Sequence, residues 1–168
     1  MALTVCPARS HLGDMVEEET QAGPMAIALA EAEAAGARDE VPIGAVLVDG
    51  ASGAILAQSG NRVEELHDPT AHAELLVIRA AAAAGQAKRL PVCDIYVTLE
   101  PCPMCAQAIA FARIRRLYFG AYDPKGGGVD HGPRIFQQPT CHHRPEVYGG
   151  IGETRAGALL KAYFRAKR

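Results

Sequence analysis

Two short stretches, His72-Ala73-Glu74 and Pro101-Cys102-Pro103-Met104-Cys105, hold three metal-binding side chains and one carboxylate that need not bind the metal. Cys102 and Cys105 are three residues apart, so at the start of a helix they share a face and can grip one ion. With His72 as third ligand, a tetrahedral Zn2+ keeps its fourth position for water, the catalytic rather than the structural arrangement. Glu74 stands two residues from that ligand, close enough to exchange protons with the water. Such a set can add water to an amidine-like carbon and pass protons first to a ring nitrogen and then to departing ammonia, which is hydrolytic deamination. Two other readings compete. A fourth protein ligand (His67, His142 or His143) would turn the site into a closed zinc clip, and the Cys-x-x-Cys pair could instead be a redox couple. The proline-flanked helix start that follows His-x-Glu argues against the couple. No spacing ties His131, His142 or His143 to the first three ligands, so they read as surface histidines. Cys6, Cys93 and Cys141 also lack partner spacing and read as buried or incidental thiols.

These groups must be delivered by regular elements. Pro24 to Gly36 reads as an alanine-rich helix covering a sheet, with proline at its first position. Ile43 to Val48 is a nearly continuous apolar run, suited to a strand buried on both faces, and Ala54 to Ala57 returns as its hairpin partner. Asn61 then lies at the far end of that strand, either as an Asx-turn former or as a contact to a sugar or base edge. Asp68-Pro69-Thr70 opens a helix running to Gly85, which places His72 and Glu74 in its first turn. Two apart on a regular helix they would splay by roughly 200°. At the helix N-terminus, however, both reach toward a group beyond its end, where the exposed N–H groups favour negative charge. Asp94 to Leu99 is a third strand ending in Glu100-Pro101-Cys102, and Pro103 starts a helix through Ile109 to Arg113. Leu117 to Gly120 and Glu146 to Tyr148 are further strands, and Asp123 to Gly128 is a flexible turn that could border the site. The last helix, Glu153 to Arg168, should turn Leu159, Leu160, Tyr163 and Phe164 inward and Lys161, Arg165, Lys167 and Arg168 outward.

The chain of 168 residues suits one α/β domain over 24–168, preceded by a flexible extension over 1–23. No apolar run reaches membrane-spanning length and no signal pattern opens the chain, and its cysteines suit metal binding in a reducing cytoplasm. The net charge of −2 is unevenly spread: residues 1–87 carry 4 basic and 13 acidic side chains, a net −9, and residues 88–168 carry 13 and 6, a net +7. A basic half is what a polyanionic partner requires, although charges also simply decorate solvated faces.

Further stretches narrow the reading: Val41-Pro42-Ile43-Gly44-Ala45-Val46, Gly60-Asn61-Arg62, Asp68-Pro69-Thr70-Ala71-His72-Ala73-Glu74, Tyr96 through Cys105, Asp123-Pro124-Lys125-Gly126-Gly127 and Tyr163-Phe164-Arg165. From about Met25 onward the chain resembles the bacterial tRNA-specific adenosine deaminases, within the zinc nucleobase deaminases marked by His-x-Glu and Pro-Cys-x-x-Cys. The resemblance implies a three-layer α/β/α cytidine deaminase-like fold around a mixed five-stranded sheet, a homodimer, and conversion of the wobble adenosine to inosine in the anticodon stem-loop of an arginine tRNA. It also implies one Zn2+ per subunit on His72, Cys102 and Cys105, with Glu74 as proton shuttle and Asn61 on the target nucleoside. Asp123 and Lys125 would border the RNA, and Phe164 and Arg165 would grip the anticodon loop. The position before the Asn-Arg pair, aromatic in some members, is Gly60 here. The rival readings are a deaminase of a free base or nucleoside such as cytosine or guanine, and a zinc-stabilised RNA-binding module without catalysis.

Overall fold

The computed structural model describes residues 23–168; Cys6, and all of the expected 1–23 extension except Gly23, lie outside the described residues. Helix α1 (Pro24–Ala37) starts at proline and buries Met25, Ala28, Leu29, Ala32 and Ala35. Its small inner side chains bring it hard against the sheet. A Cβ on Gly44 would collide with the Ala28 carbonyl, and one on Gly60 would stand 2.6 Å from the Glu31 carbonyl oxygen.

Strands β1 (Gly44–Asp49), β2 (Ile55–Gly60), β3 (Cys93–Leu99), β4 (Arg116–Ala121) and β5 (Glu146–Tyr148) form one sheet in the order β2-β1-β3-β4-β5. β1 pairs antiparallel with β2 and β3, whereas β3–β4 and β4–β5 are parallel, so the sheet is mixed, as the resemblance implies. The parallel pairs require crossovers, and helix α3 (Pro103–Ala112) supplies the first of them between β3 and β4. α3 and helix α2 (Ala73–Ala84) share a core with Ala45, Leu47, Ile95, Val97, Leu117 and Phe119. Val46 and Val48 point to the opposite face, where they meet α1 and helix α4 (Glu153–Ala166) at Ala156. The alternation along β1 therefore feeds two cores, and three layers result.

Two expectations need correction, and one element lies where none was expected. α2 begins at Ala73, not near Asp68, because the Asp68 carboxylate accepts the Thr70 N–H at 2.8 Å and the Thr70 hydroxyl at 2.7 Å. That side chain closes a turn ahead of the helix instead of capping it. Phe164 is 51% exposed rather than turned inward, since α4 buries only Ala156 near its start and its later turns border an open cavity. A single helical turn, Val63–Leu66, follows β2 where the sequence offers no sign of it. It is too short to show periodicity and is held from outside, by its Glu65 N–H donating to the buried Glu40 carboxylate at 2.9 Å.

Candidate active site

Two helix N-termini converge at one end of the sheet. His72 is the residue before α2, in extended backbone (φ −72°, ψ 147°), and Glu74 is the second residue of the helix. His72 thus lies outside the helical spiral, which removes the expected splay and lets ring and carboxylate serve one place. Cys102 occupies the matching position before α3, also extended (φ −66°, ψ 168°), with Pro103 at the first helical position and Cys105 two residues on. His72 Nδ1 stands 3.7 Å from Cys102 Sγ and 3.5 Å from Cys105 Sγ, and the three ligand atoms lie within 4.8 Å of one another. Four groups around a zinc at bond lengths of about 2.0–2.3 Å stand about 3.3–3.8 Å apart, so the two measured separations fit Zn2+.

The two thiols and the imidazole are strongly coupled to one another. The neighbouring Cys105 thiol pulls the Cys102 pKa down to about 4, burial opposing and His72 assisting. Cys105 is pushed up by the same pairing and by its burial. The hydrogen bond to Cys102 raises His72 against the cost of burial. Burial raises the Glu74 carboxyl as well. Glu74 Oε2 is a buried side-chain oxygen with no hydrogen-bond partner among the described residues, the mark of a group awaiting a water or substrate proton.

The closed-clip alternative finds no fourth ligand among the described residues, because the cluster comprises His72, Cys102 and Cys105 alone. His143 Nε2 is instead 2.6 Å from the Ile114 carbonyl oxygen, and His131 Nδ1 is 2.7 Å from Glu100. His67 sits in the left-handed region at the end of the short helical turn. Cys93 and Cys141 are buried, as anticipated.

Asn61 is buried at the end of β2, and its Oδ1 accepts the Ala73 N–H at 2.9 Å. The bond ties the β2 end to the start of α2, so the amide is oriented by the same backbone that carries His72. Asp123, Lys125 and Phe164 meet elsewhere, in a cavity of about 760 Å3 also lined by Val41, Leu99 and Leu160. Arg165 is not in that lining; it borders a smaller hollow of about 330 Å3 on α4. The structure therefore groups the expected residues into a metal cluster with Glu74 and Asn61, and a separate cavity holding most of the rest. The chain connects the two directly, since Leu99 lines the cavity and Cys102 follows three residues later.

The family model for the cytidine and deoxycytidylate deaminase zinc-binding region matches residues 18–121, which takes in Asn61, His72, Glu74, Cys102 and Cys105. A tRNA-specific adenosine deaminase of Agrobacterium fabrum is 61% identical over 144 residues, covering 86% of this chain and 93% of that protein. The chain belongs to the tRNA-specific adenosine deaminase family. A solved structure from a study of A-to-I editing by tRNA:A34 deaminases at the wobble position of transfer RNA superposes with a TM-score of 0.79 at 61% identity, covering 82% of this chain and 98% of that one. A guanine deaminase of Nitrosomonas europaea has the same fold at 25% identity, with a TM-score of 0.73 over 83% of this chain and 82% of its own. In this family member, Gly60 stands where the close approach of α1 leaves no room for a larger side chain: a Cβ there would lie 2.8 Å from Ala35 Cβ.

Sequence reasoning missed Glu100. The strand pattern marks it only as the residue after β3, yet it is almost fully buried and accepts hydrogen bonds from the segment that carries Asp123. A carboxylate ending an apolar strand just before Pro-Cys was the available signal.

Proposed function

We infer that this chain catalyses the zinc-dependent hydrolytic deamination of the wobble adenosine to inosine in a tRNA anticodon, and that its substrate is an arginine tRNA. The observation that carries the reading is the buried Glu74 Oε2, without a hydrogen-bond partner among the described residues, beside the His72, Cys102 and Cys105 cluster. The 61% identical tRNA-specific relative supports the choice of RNA as substrate.

In this reading His72, Cys102 and Cys105 hold the metal. Bound Zn2+ supplies an activated water as nucleophile near neutral pH. Glu74 would take a proton from the attacking water and give it to the ring nitrogen beside the amino-bearing carbon. A second transfer through the same carboxylate lets ammonia leave as the carbon becomes a carbonyl, so one water enters and one ammonia departs. Burial suits Glu74 to this cycle, because it raises the carboxyl pKa and so favours holding a proton between the two transfers. The Asn61 oxygen is committed to the Ala73 N–H, so the amide offers its NH2 group to an acceptor on the nucleoside. Asp123, Lys125 and Phe164 form a cavity with an aromatic face, a cation and an acceptor, suited to an unpaired nucleotide next to the target. Arg165 lies on the neighbouring face of α4 and serves the RNA backbone.

The deaminase unit occupies 24–168 and works as a homodimer in the cytoplasm, a reading supported by the family resemblance. The exposed Met104 and Phe111 on α3 are apolar surface that a second copy would cover. Among the described residues no helix is long and apolar enough to cross a membrane. Likeness to a guanine deaminase favours one second reading, deamination of a free base. The deciding experiment offers an arginine-tRNA anticodon stem-loop, guanine, cytosine and adenosine to the zinc-loaded protein. Inosine at the wobble position is expected. Ammonia from a free base with unchanged RNA would move the activity to the second reading, and zinc-bound silence on all substrates would leave a binding module.

A further inference from the structure

Beside the ligand turn lies a buried carboxylate that the reaction does not use. Glu100 is 2% exposed. Its Oε1 accepts the backbone N–H groups of Val129 at 3.2 Å, Asp130 at 2.9 Å and His131 at 2.9 Å. Its Oε2 accepts the Asp123 N–H at 3.0 Å and lies 2.7 Å from His131 Nδ1. Every one of these donors belongs to the segment 123–131, whose first residues enter the cavity. The segment also presses directly onto the turn that bears Cys102. The Gly128 N–H donates to the Pro101 carbonyl at 2.8 Å, and a Cβ on Gly128 would stand 2.6 Å from Pro103 N. Asp123 Oδ1 in turn accepts the N–H groups of Lys125 and Gly126, both at 3.0 Å, so the order imposed at Asp123 extends to Lys125.

We propose that Glu100 is a positioning residue for the RNA substrate: by gripping 123–131 it holds Asp123 and Lys125 at a set place relative to the Cys102 turn. The nucleotide next to the target then meets its contacts at a set place, so the loop contributes to RNA binding rather than to the chemical step. A carboxylate that accepts along several directions fixes both distance and orientation. The proposal rests on the tRNA reading above and deepens it.

Glu100→Gln separates this role from a purely structural one. A glutamine keeps an oxygen for the three N–H groups at 129–131 and places its NH2 against the Asp123 N–H, where two donors now oppose each other. His131 accommodates the change by switching tautomer. The variant should keep one zinc per subunit and nearly unchanged kcat, while KM for the anticodon stem-loop rises about tenfold, the scale of one lost charge-assisted hydrogen bond. Adding Asp123→Ala to Glu100→Gln should raise KM by less than the sum of the two single effects, because the Asp123 backbone N–H held by Glu100 and the Asp123 side chain that holds the Lys125 and Gly126 N–H groups order the same loop. A lowered melting temperature with wild-type KM would overturn the proposal, as would additive effects in the double variant or activity lost only in proportion to zinc. Gly127→Ala tests the same contact from the loop side, since its Cβ would stand 2.5 Å from the Glu100 carboxyl carbon. If Glu100→Gln does not fold, a raised KM in Gly127→Ala supports the proposal and an unchanged one overturns it. A wild-type protein that makes no inosine in the stem-loop would instead remove the tRNA reading itself.

Discussion

Glu74 and the three ligand side chains share one place but carry separable duties. Glu74 is tied to the site by burial and by its position in the first turn of α2, not by any contact that the metal needs. Glu74→Ala should therefore lose turnover by about 10²–10⁴-fold, the usual contribution of a general acid–base. Zinc measured by atomic absorption should stay at wild-type occupancy; loss of metal would contradict the assigned role. Cys102→Ala should do the reverse. Removing a sulfur that stands 3.7 Å from His72 Nδ1 opens the cluster, so zinc occupancy and melting temperature should fall together. Full occupancy in Cys102→Ala would undo the ligand assignment.

The turn over residues 68–72 decides where His72 points. The Thr70 hydroxyl and then the Thr70 N–H hold the Asp68 carboxyl below its usual range, burial opposing and the nearby Arg79 assisting. A carboxyl depressed in the folded state stabilises it while ionised, so its contribution is present above the unfolded value of about 3.9 and disappears as pH falls through the lower folded value. Asp68→Ala should thus lower the melting temperature at pH 7, and the gap to wild type should narrow as pH drops below about 4. Thermal scans across that range check it; a gap that widens in acid would show that another group carries the effect. The other elements make the same kind of demand on the backbone. Gly44 and Gly60 let α1 lie close enough for the β2 end to place Asn61 against α2.

Charge acts over the whole molecule. The basic excess of residues 88–168 includes Lys125 in the cavity and Lys161, Arg165, Lys167 and Arg168 along or beside α4. Not all of it is available to a partner: Arg116 is 2.8 Å from Glu146, Arg155 is 2.7 Å from Glu33, Arg115 is 2.8 Å from Asp94, and Lys167 pairs with Asp39. RNA binding carried by the remaining cations should weaken linearly in log affinity against log salt. Titrating Glu74→Ala with the stem-loop would give that slope without turnover. Lys125→Ala should reduce it by about 0.7–0.9, one phosphate contact. A slope of zero would place the affinity in uncharged contacts.

The chemistry and the elements that frame it could be read from the chain alone, because both are local. A Cys-x-x-Cys behind a strand and ahead of a proline specifies its own geometry through the helical spacing, and the β1 run announces its double burial by composition. The family stretches carried the order of the layers as well. Tertiary structure alone decided the rest. That His72 stands outside α2 depends on an Asp68 side chain choosing Thr70 over the helix end, a competition between two hydrogen bonds that both suit the sequence. That Glu100 grips 123–131 depends on β3 and β4 lying side by side, which brings donors 23 to 31 residues away onto one carboxylate. Phe164 is exposed for a similar reason: a helix periodicity names an apolar face, but only the neighbouring elements determine whether anything covers it.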